Sequence, residues 1–294
     1  MRIVIAGGSG FLGTRLTQSL GGDGHEVTVL TRHPHRNGER AWMPGSADRG
    51  WWSAIESSNV VVNLAGESIA GGRWTASRKT AIRESRVRAT RALVSAIRET
   101  RGPAVLVSGS AVGIYEPRGD ETIDEGTPPG SDFLADVGRA WEGEALEAAP
   151  VARVVLVRTG LVLAREGGVL PKLALPIKLF AGGPTGPGTQ VMSWIHVEDW
   201  VSLVKWAMTN ADVSGPMNAT APTPVTNREM VRTLGRVLHR PTLMPAPAFA
   251  LRLALGEMAE ALLLSGQRAV PVKALRLGFE FRYPGLEEAI RSLY

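Results

Sequence analysis

The sequence predicts an α/β fold, a Rossmann-type doubly wound parallel sheet, and three observations predict it. The chain opens on an apolar run, Arg2-Ile3-Val4-Ile5-Ala6, with the β-branched content of a strand buried on both faces. Glycines at 7, 10 and 13 follow at once and lead into a helical pattern over 14–20, with Leu16 and Leu20 on one face. Strand and helix patterns then alternate to about residue 165, as they do when helices cover both sides of a parallel sheet.

Each glycine of the first turn has a physical task. Gly7 permits the tight turn out of the strand, Gly10 leaves room for a pyrophosphate to approach the backbone, and Gly13 lets the helix pack close to the sheet. The helix start then presents unpaired N–H groups and the positive end of its dipole. A second strand, Glu26-Val27-Thr28-Val29-Leu30, ends at Thr31-Arg32, with Arg36 close behind. Strand, glycine turn, helix and parallel strand together form a dinucleotide-binding unit. The Gly-x-x-Gly-x-x-Gly spacing resembles the extended short-chain dehydrogenase/reductase superfamily. An NAD enzyme usually places an acid after the second strand, for the ribose hydroxyl. Here an arginine stands instead, and its fork matches a 2′-phosphate, so the expected cofactor is NADP(H). Arg32 also reads as an ordinary solvated loop charge.

The polar stretch after Arg32 holds Trp42, Trp51 and Trp52, expected to pack against the sheet edge. A strand over 59–64 ends in Ala65-Gly66-Glu67, and strand C-termini face the ligand crevice of such a sheet. A long helix is expected over residues 76–100, carrying Arg83, Arg86, Arg88 and Arg91. The strand over 104–107 ends at Ser108-Gly109-Ser110. A helix over 133–149 precedes the strand over 153–158, and Leu161-Val162 follows it. Beyond residue 165 the pattern changes. Gly182-Gly183-Pro184-Thr185-Gly186-Pro187-Gly188 lacks the Lys-Ser/Thr pair of a phosphate loop. Helices are expected over 199–209, 227–238 and 247–266, and Met217-Asn218-Ala219 as a short strand returning to the main sheet. The expected division is a dinucleotide-binding domain over 1–165, its sheet completed by about 190–220, and a smaller, discontinuous substrate lobe over 166–294.

The whole chain sets wider bounds. Its 294 residues suffice for a large core, and 44% hydrophobic content is ordinary for a globular protein. With no cysteine, disulfides, thiolate metal sites and cysteine nucleophiles are excluded, and no metal site is expected. The apolar stretch over 251–264 is interrupted by Arg252, Glu257 and Glu260, so no membrane span is expected. A chain opening on a core strand suggests no leader, and the expected location is cytoplasmic. The net charge of +5 comes with no nucleic-acid module, so the expected partner is an unidentified small-molecule substrate.

Several stretches narrow the likeness: Asn63-Leu64-Ala65-Gly66-Glu67, Gly72-Arg73-Trp74, Ser85-Arg86, Ser108-Gly109-Ser110-Ala111-Val112-Gly113, Asp132-Phe133-Leu134 with Trp141-Glu142, and Gly182-Gly183-Pro184 with Trp194-Ile195-His196. Over essentially its full length the chain resembles an atypical epimerase family. That family is similar to the NAD-dependent epimerase/dehydratases and carries a distinctive C-terminal domain. The resemblance implies Gly7, Gly10, Phe11, Leu12 and Gly13 at the pyrophosphate, and Thr31 and Arg32 at the adenosine ribose phosphate. It implies Leu64, Ala65 and Glu67 along the dinucleotide, Arg86 as a cofactor contact, and Leu161 and Val162 at the nicotinamide.

The chemistry departs from the superfamily pattern. Its Tyr-x-x-x-Lys pair, aligned through Trp141-Glu142, falls on Leu134 and Gly138, and neither can transfer a proton. Ser110 matches the serine that hydrogen-bonds the substrate. Tyr115 could substitute as acid/base, although a tyrosine bordering a loop is the plainer reading, because an unassisted phenol titrates near 10. Glu67 could serve as another acid/base. His196 could shuttle protons, but the Ile-His-Val-Glu-Asp pattern reads better as a structural turn around His196 and Asp199. The two functions to weigh are an NADP(H)-dependent oxidoreductase or epimerase with a non-standard proton donor, and a non-catalytic NADPH-binding protein that reports to a partner.

Overall fold

The computed structural model describes residues 1–294. Five parallel strands form the first part of the sheet: β1 (Arg2–Ala6), then after helix α1 (Phe11–Gly22) β2 (Glu26–Thr31) and β3 (Glu39–Ala41), then after α2 (Trp52–Glu56) β4 (Val60–Asn63), and after the long α3 (Ala76–Thr100) β5 (Val105–Ala111). A 3₁₀ turn, Val112–Tyr115, leaves β5 and leads to the short β6 (Thr122–Ile123). Helix α4 (Phe133–Leu146) precedes β7 (Arg153–Thr159), which pairs with β5.

The second half interleaves the remaining elements. They are β8 (Leu161–Leu163), α5 (Leu170–Lys178), β9 (Val191–Met192), β10 (Trp194–His196), α6 (Val197–Thr209), β11 (Gly215–Ala219), β12 (Val225–Thr226) and α7 (Asn227–Val237). The chain ends with α8 (Ala248–Leu255), α9 (Glu257–Ala259), β13 (Arg268–Ala269), α10 (Val272–Arg276) and α11 (Leu286–Arg291). The seven-stranded sheet has the order β11-β7-β5-β4-β1-β2-β3, all parallel. Met217-Asn218-Ala219 returns to the sheet as read from the sequence, in register with Val157, Arg158 and Thr159.

The period-two alternation of side chains in strands divides the core in two. Ile3 and Ile5 face one side, with Leu16 and Leu20 of α1 and Trp200, Leu203 and Val204 of α6. Val4 and Ala6 face the other, with Leu93 and Ile97 of α3, Ala145 of α4, and Trp42 and Trp51. Leu16 and Leu20 are at most 1% exposed, and burial of each stabilises by about 1.5–3 kcal/mol. Trp42 and Trp51 meet edge to face at 5.9 Å, in a stretch whose short β3 and α2 the sequence pattern does not show. A third cluster, including Leu170, Trp194, Met230, Leu234 and Ile290, forms the core of the C-terminal lobe.

Two boundaries differ from expectation for identifiable reasons. The helix over 133–149 stops at Leu146, where the chain turns toward β7. The helix over 247–266 is broken: Gly256 has φ +61, ends α8 and starts α9, and a π-helical turn, Glu260–Leu264, follows. A residue with positive φ cannot continue an α-helix. No helix is long and apolar enough to cross a membrane.

Candidate functional site

The first turn is built around backbone proximity. Gly7 has φ +80, and a Cβ there would lie 2.7 Å from the Leu64 carbonyl. A Cβ on Gly13 would collide with the Gly7 carbonyl oxygen, so both positions require glycine. At Gly10 a Cβ would meet only that same oxygen, at 3.3 Å, which leaves the outer side of the turn open. Gly10 caps α1 with no side chain, and the amides of Phe11, Leu12 and Gly13 donate to no acceptor in the protein. The Phe11 ring turns inward against Gly167, so Phe11 offers only its amide to the crevice. Three free donors at a helix start suit a phosphate group.

Along the crevice from this turn, a groove beside β2 is lined by Gly8, Val29, Thr31, His33, His35 and Arg36. Arg32, which follows Thr31 in the chain, is exposed, and neither Arg32 nor Arg36 makes an ion pair. On the other side Leu64 and Ala65 pass close over Gly7, and the Ala65 amide is held by Asn63 Oδ1 at 3.2 Å. Glu67 turns its carboxylate to Arg78 of α3, at 3.4 Å. The acidic side chain is therefore paired, not free as an acid/base.

A cavity of about 240 Å³ opens at the C-terminal ends of β5 and β7. Leu161, Leu134, Gly138 and Trp141 line it, together with α5 and the chain over 261–267. Arg86 is its single ionisable lining residue. Arg86 is 7% exposed; its Nη1 donates to the Ile82 carbonyl at 2.9 Å, and its guanidinium lies 5.1 Å from the centre of the Trp141 ring. Burial pulls its pKa down to about 10, with the nearby Glu67 charge opposing. Both Arg86 Nε and Trp141 Nε1 are buried without a partner. Val162, in contrast, is packed in the main core against the sheet and does not line the cavity.

Neither Ser110 nor Tyr115, the two catalytic candidates, is among the residues that line this cavity. Ser110 Oγ donates to Glu142 Oε1 at 2.6 Å. Glu142 accepts two further bonds from Arg158, from Nε and Nη2, each at 2.8 Å, and Arg158 Nη1 donates to the Tyr115 hydroxyl at 2.8 Å. Tyr115 in turn donates to Asn218 Oδ1 at 2.8 Å, and Asn218 Nδ2 to the Val270 carbonyl at 2.9 Å. Tyr115 is 0% exposed, and burial pushes its pKa up to about 12 although Arg158 pulls the other way. Its proton and its lone pair are both engaged, so it is not available to a substrate.

The lysine of the missing proton-transfer pair is disfavoured sterically as well as absent from the sequence. A Cβ on Gly138 would sit 2.9 Å from the Ile114 side chain, and one on Gly113 3.3 Å from Leu134. Helix α4 thus lies so close to the 3₁₀ turn that no lysine fits at 138. His196 and Asp199 act as turn residues. The His196 Nδ1 accepts from the Glu198 amide, its ring packs on Tyr283, and burial lowers its pKa to about 4. Asp199 accepts from the amides of Arg282 and Tyr283, and burial raises its pKa. No group of three or more His, Asp or Glu side chains is arranged to hold a metal ion.

Sequence reasoning did not single out Arg158, Glu142 as an ion-pair partner, Trp141 or Gln190. The usable signal was an arginine inside an otherwise apolar strand, Val154-Val155-Leu156-Val157-Arg158, which demands a buried acid within reach.

Comparisons with known proteins agree with this geometry. The NAD dependent epimerase/dehydratase family profile matches residues 3–219, and a domain of unknown function, DUF1731, matches residues 246–293. The chain is 42% identical to an Arabidopsis thaliana protein named epimerase family protein SDR39U1 homolog, chloroplastic, over 100% of this chain and 86% of that one. It is 41% identical to epimerase family protein YfhF of Bacillus subtilis, over 100% and 98%. The crystal structure of human epimerase family protein SDR39U1, determined with NADPH, superimposes with a TM-score of 0.91 at 33% identity, covering 100% of this chain and 99% of that one.

Proposed function

The chain belongs to the NAD dependent epimerase/dehydratase family, and from that premise we propose that it is an NADP(H)-dependent oxidoreductase or epimerase acting on a carbonyl or hydroxyl carbon of a small molecule. The observation that carries this reading is a pair of features at the C-terminal ends of the parallel strands. They are three unpaired amides at the start of α1 and a cavity whose one charged group is an incompletely bonded arginine. The NADPH in the human relative's structure and the unpaired arginines after β2 favour a 2′-phosphorylated cofactor.

In this reading the amides of Phe11, Leu12 and Gly13 hold the pyrophosphate, with Gly7 and Gly10 keeping the approach clear. Thr31 and Arg32 hold the ribose phosphate, Leu64 and Ala65 border the dinucleotide, and Leu161 borders the nicotinamide. When bound, the cofactor supplies or accepts a hydride at the nicotinamide C4. Arg86 lines the cavity beside Gly66, just past the end of β4, and in this reading its guanidinium stabilises negative charge developing on a reacting oxygen. No carboxyl, imidazole, phenol or ammonium lines the cavity, so the proton is exchanged with solvent.

That same absence favours a second reading, a protein that binds NADPH and signals its presence to a partner without turnover. The test is to load purified protein with NADPH, confirm binding by calorimetry, and follow nicotinamide absorbance across a panel of carbonyls and sugar nucleotides. Turnover on any of them supports the enzyme. Binding without turnover favours the second reading, and failure to bind NADPH overturns both.

A further inference from the structure

The cavity wall indicates which chemical class enters it. Fourteen of its lining residues are hydrophobic, Leu134, Val137 and Leu161 on the sheet side and Val169, Leu173 and Leu262 on the lobe side among them. Its neutral polar side chains are largely occupied with holding the lobe together. Ser193 Oγ donates to the Gln267 carbonyl, Gln267 Nε2 to the Val112 carbonyl, Ser265 Oγ to the Glu260 carbonyl, and Gln190 Nε2 to Thr185 and Leu263. Three buried polar atoms of the lining residues have no partner: the donors Arg86 Nε and Trp141 Nε1, and the acceptor Gln190 Oε1. The two donors belong to side chains stacked on one another, with Arg86 also against Gly66 just past the end of β4.

We propose that this cavity binds a predominantly apolar carbonyl compound, its oxygen at Arg86 and Trp141 and its hydrocarbon body against the lobe, and not a nucleoside-diphosphate sugar. This rests on the NADP(H)-dependent reading above and deepens it. A nucleoside diphosphate brings at least two negative charges and a polar base. The cavity offers one cation, and that cation sits where the reacting oxygen must lie. The remaining wall would strip water from phosphates and sugar hydroxyls without replacing their hydrogen bonds, which is unfavourable for each group so buried. An aryl or alkyl ketone loses little by the same transfer and gains apolar burial. The cavity volume of about 240 Å³ lies below the ~300–1,000 Å³ of pockets for drug-sized ligands, which again suits a small ligand.

The experiment uses the full chain saturated with NADPH, titrated calorimetrically with 4-phenylbutan-2-one and, separately, with UDP-glucose. The ketone is expected to bind at least tenfold more tightly than UDP-glucose. Leu173→Asp, which puts a charge on the apolar wall away from the crevice, is expected to weaken the ketone at least tenfold with NADPH affinity retained. Arg86→Leu is expected to weaken the ketone by a similar factor while n-butylbenzene, which lacks the oxygen, is unaffected. Tighter binding of UDP-glucose, or no binding of the ketone to the NADPH-loaded protein, overturns the inference while the cofactor reading stands. Loss of NADPH binding by the unmodified chain overturns the cofactor reading itself, so the two failures are separate.

Discussion

At the glycine turn the amides of Phe11, Leu12 and Gly13 have no acceptor in the protein, whereas under the ends of β5 and β7 the side-chain polar atoms of Ser110, Glu142, Arg158, Tyr115 and Asn218 are all bonded to one another or to the C-terminal lobe. Both regions sit at the same edge of the same sheet. The first amides of any helix lack a partner within it, so those of the turn are left to solvent or to a ligand. Closed donors contribute to the fold and are withdrawn from chemistry. A polar residue near a crevice is thus not by itself a functional one; what decides is whether its bonds are already spent.

Mutation should separate the two regions, and the largest effect is expected in the closed one. Glu142→Ala leaves the Arg158 guanidinium buried without its acid, and loss of one partner of such a pair destabilises by about 3–5 kcal/mol. Urea unfolding should show that loss, with NADPH affinity of the folded fraction unchanged. A weakened NADPH affinity in the folded variant would show that the network also shapes the crevice.

A smaller loss is expected from pH at His196, which belongs to the same closed class. Its imidazole titrates at about 4 in the folded protein against 6.5 ordinarily, with burial as the main cause, Glu198 opposing, and Arg282 and Arg15 adding to the depression. Above pH 6.5 the ring is neutral in both states and stability is complete. As pH falls from 6.5 toward 4 the unfolded chain takes the proton first, and stability declines by about 3 kcal/mol from this group. Asp199, whose carboxyl is raised by burial, works in the opposite direction at the acid end of that window. His196→Asn keeps an acceptor for the Glu198 amide and should flatten the profile measured by urea unfolding between pH 7 and 4.

The smallest effect on stability and the clearest on binding is expected in the open region. Arg32 is exposed and unpaired, so Arg32→Asp should leave the unfolding midpoint unchanged. It should weaken NADPH roughly tenfold or more, and NADH much less, because a carboxylate repels the 2′-phosphate. Equal weakening of both cofactors would show that the residue supports the groove generally and would blur the contrast.

The open region was legible in the sequence because its causes are local. Three glycines within seven residues, a β-branched run before them and an apolar face after them specify the turn without reference to distant parts of the chain. The sheet was legible for the same reason, down to Met217-Asn218-Ala219 as its late strand. The closed region was not, because its bonds join residues far apart: Tyr115 meets Asn218, and Ser110 meets Glu142. Sequence spacing placed Ser110 and Tyr115 beside a crevice, but it carries no information on which way a strand-end side chain turns once an acid is available behind it. The break at Gly256 was missed for a different reason. A run of Leu and Ala on both sides looks helical throughout, and only the backbone angle shows where it bends.

The late strand has a consequence for how the chain comes to be folded. Until Gly215–Ala219 pairs with it, Arg153–Thr159 is the outer edge of a nearly finished sheet, an apolar ribbon with its backbone groups exposed along one side. Such an edge invites pairing with another chain. During synthesis it stands open while everything from Leu161 to Ser214 is made, and a fragment ending near residue 165 would keep it open permanently. The N-terminal half, for all that it contains the complete glycine turn, should therefore aggregate when expressed alone, and the shortest well-behaved fragment should extend past Ala219.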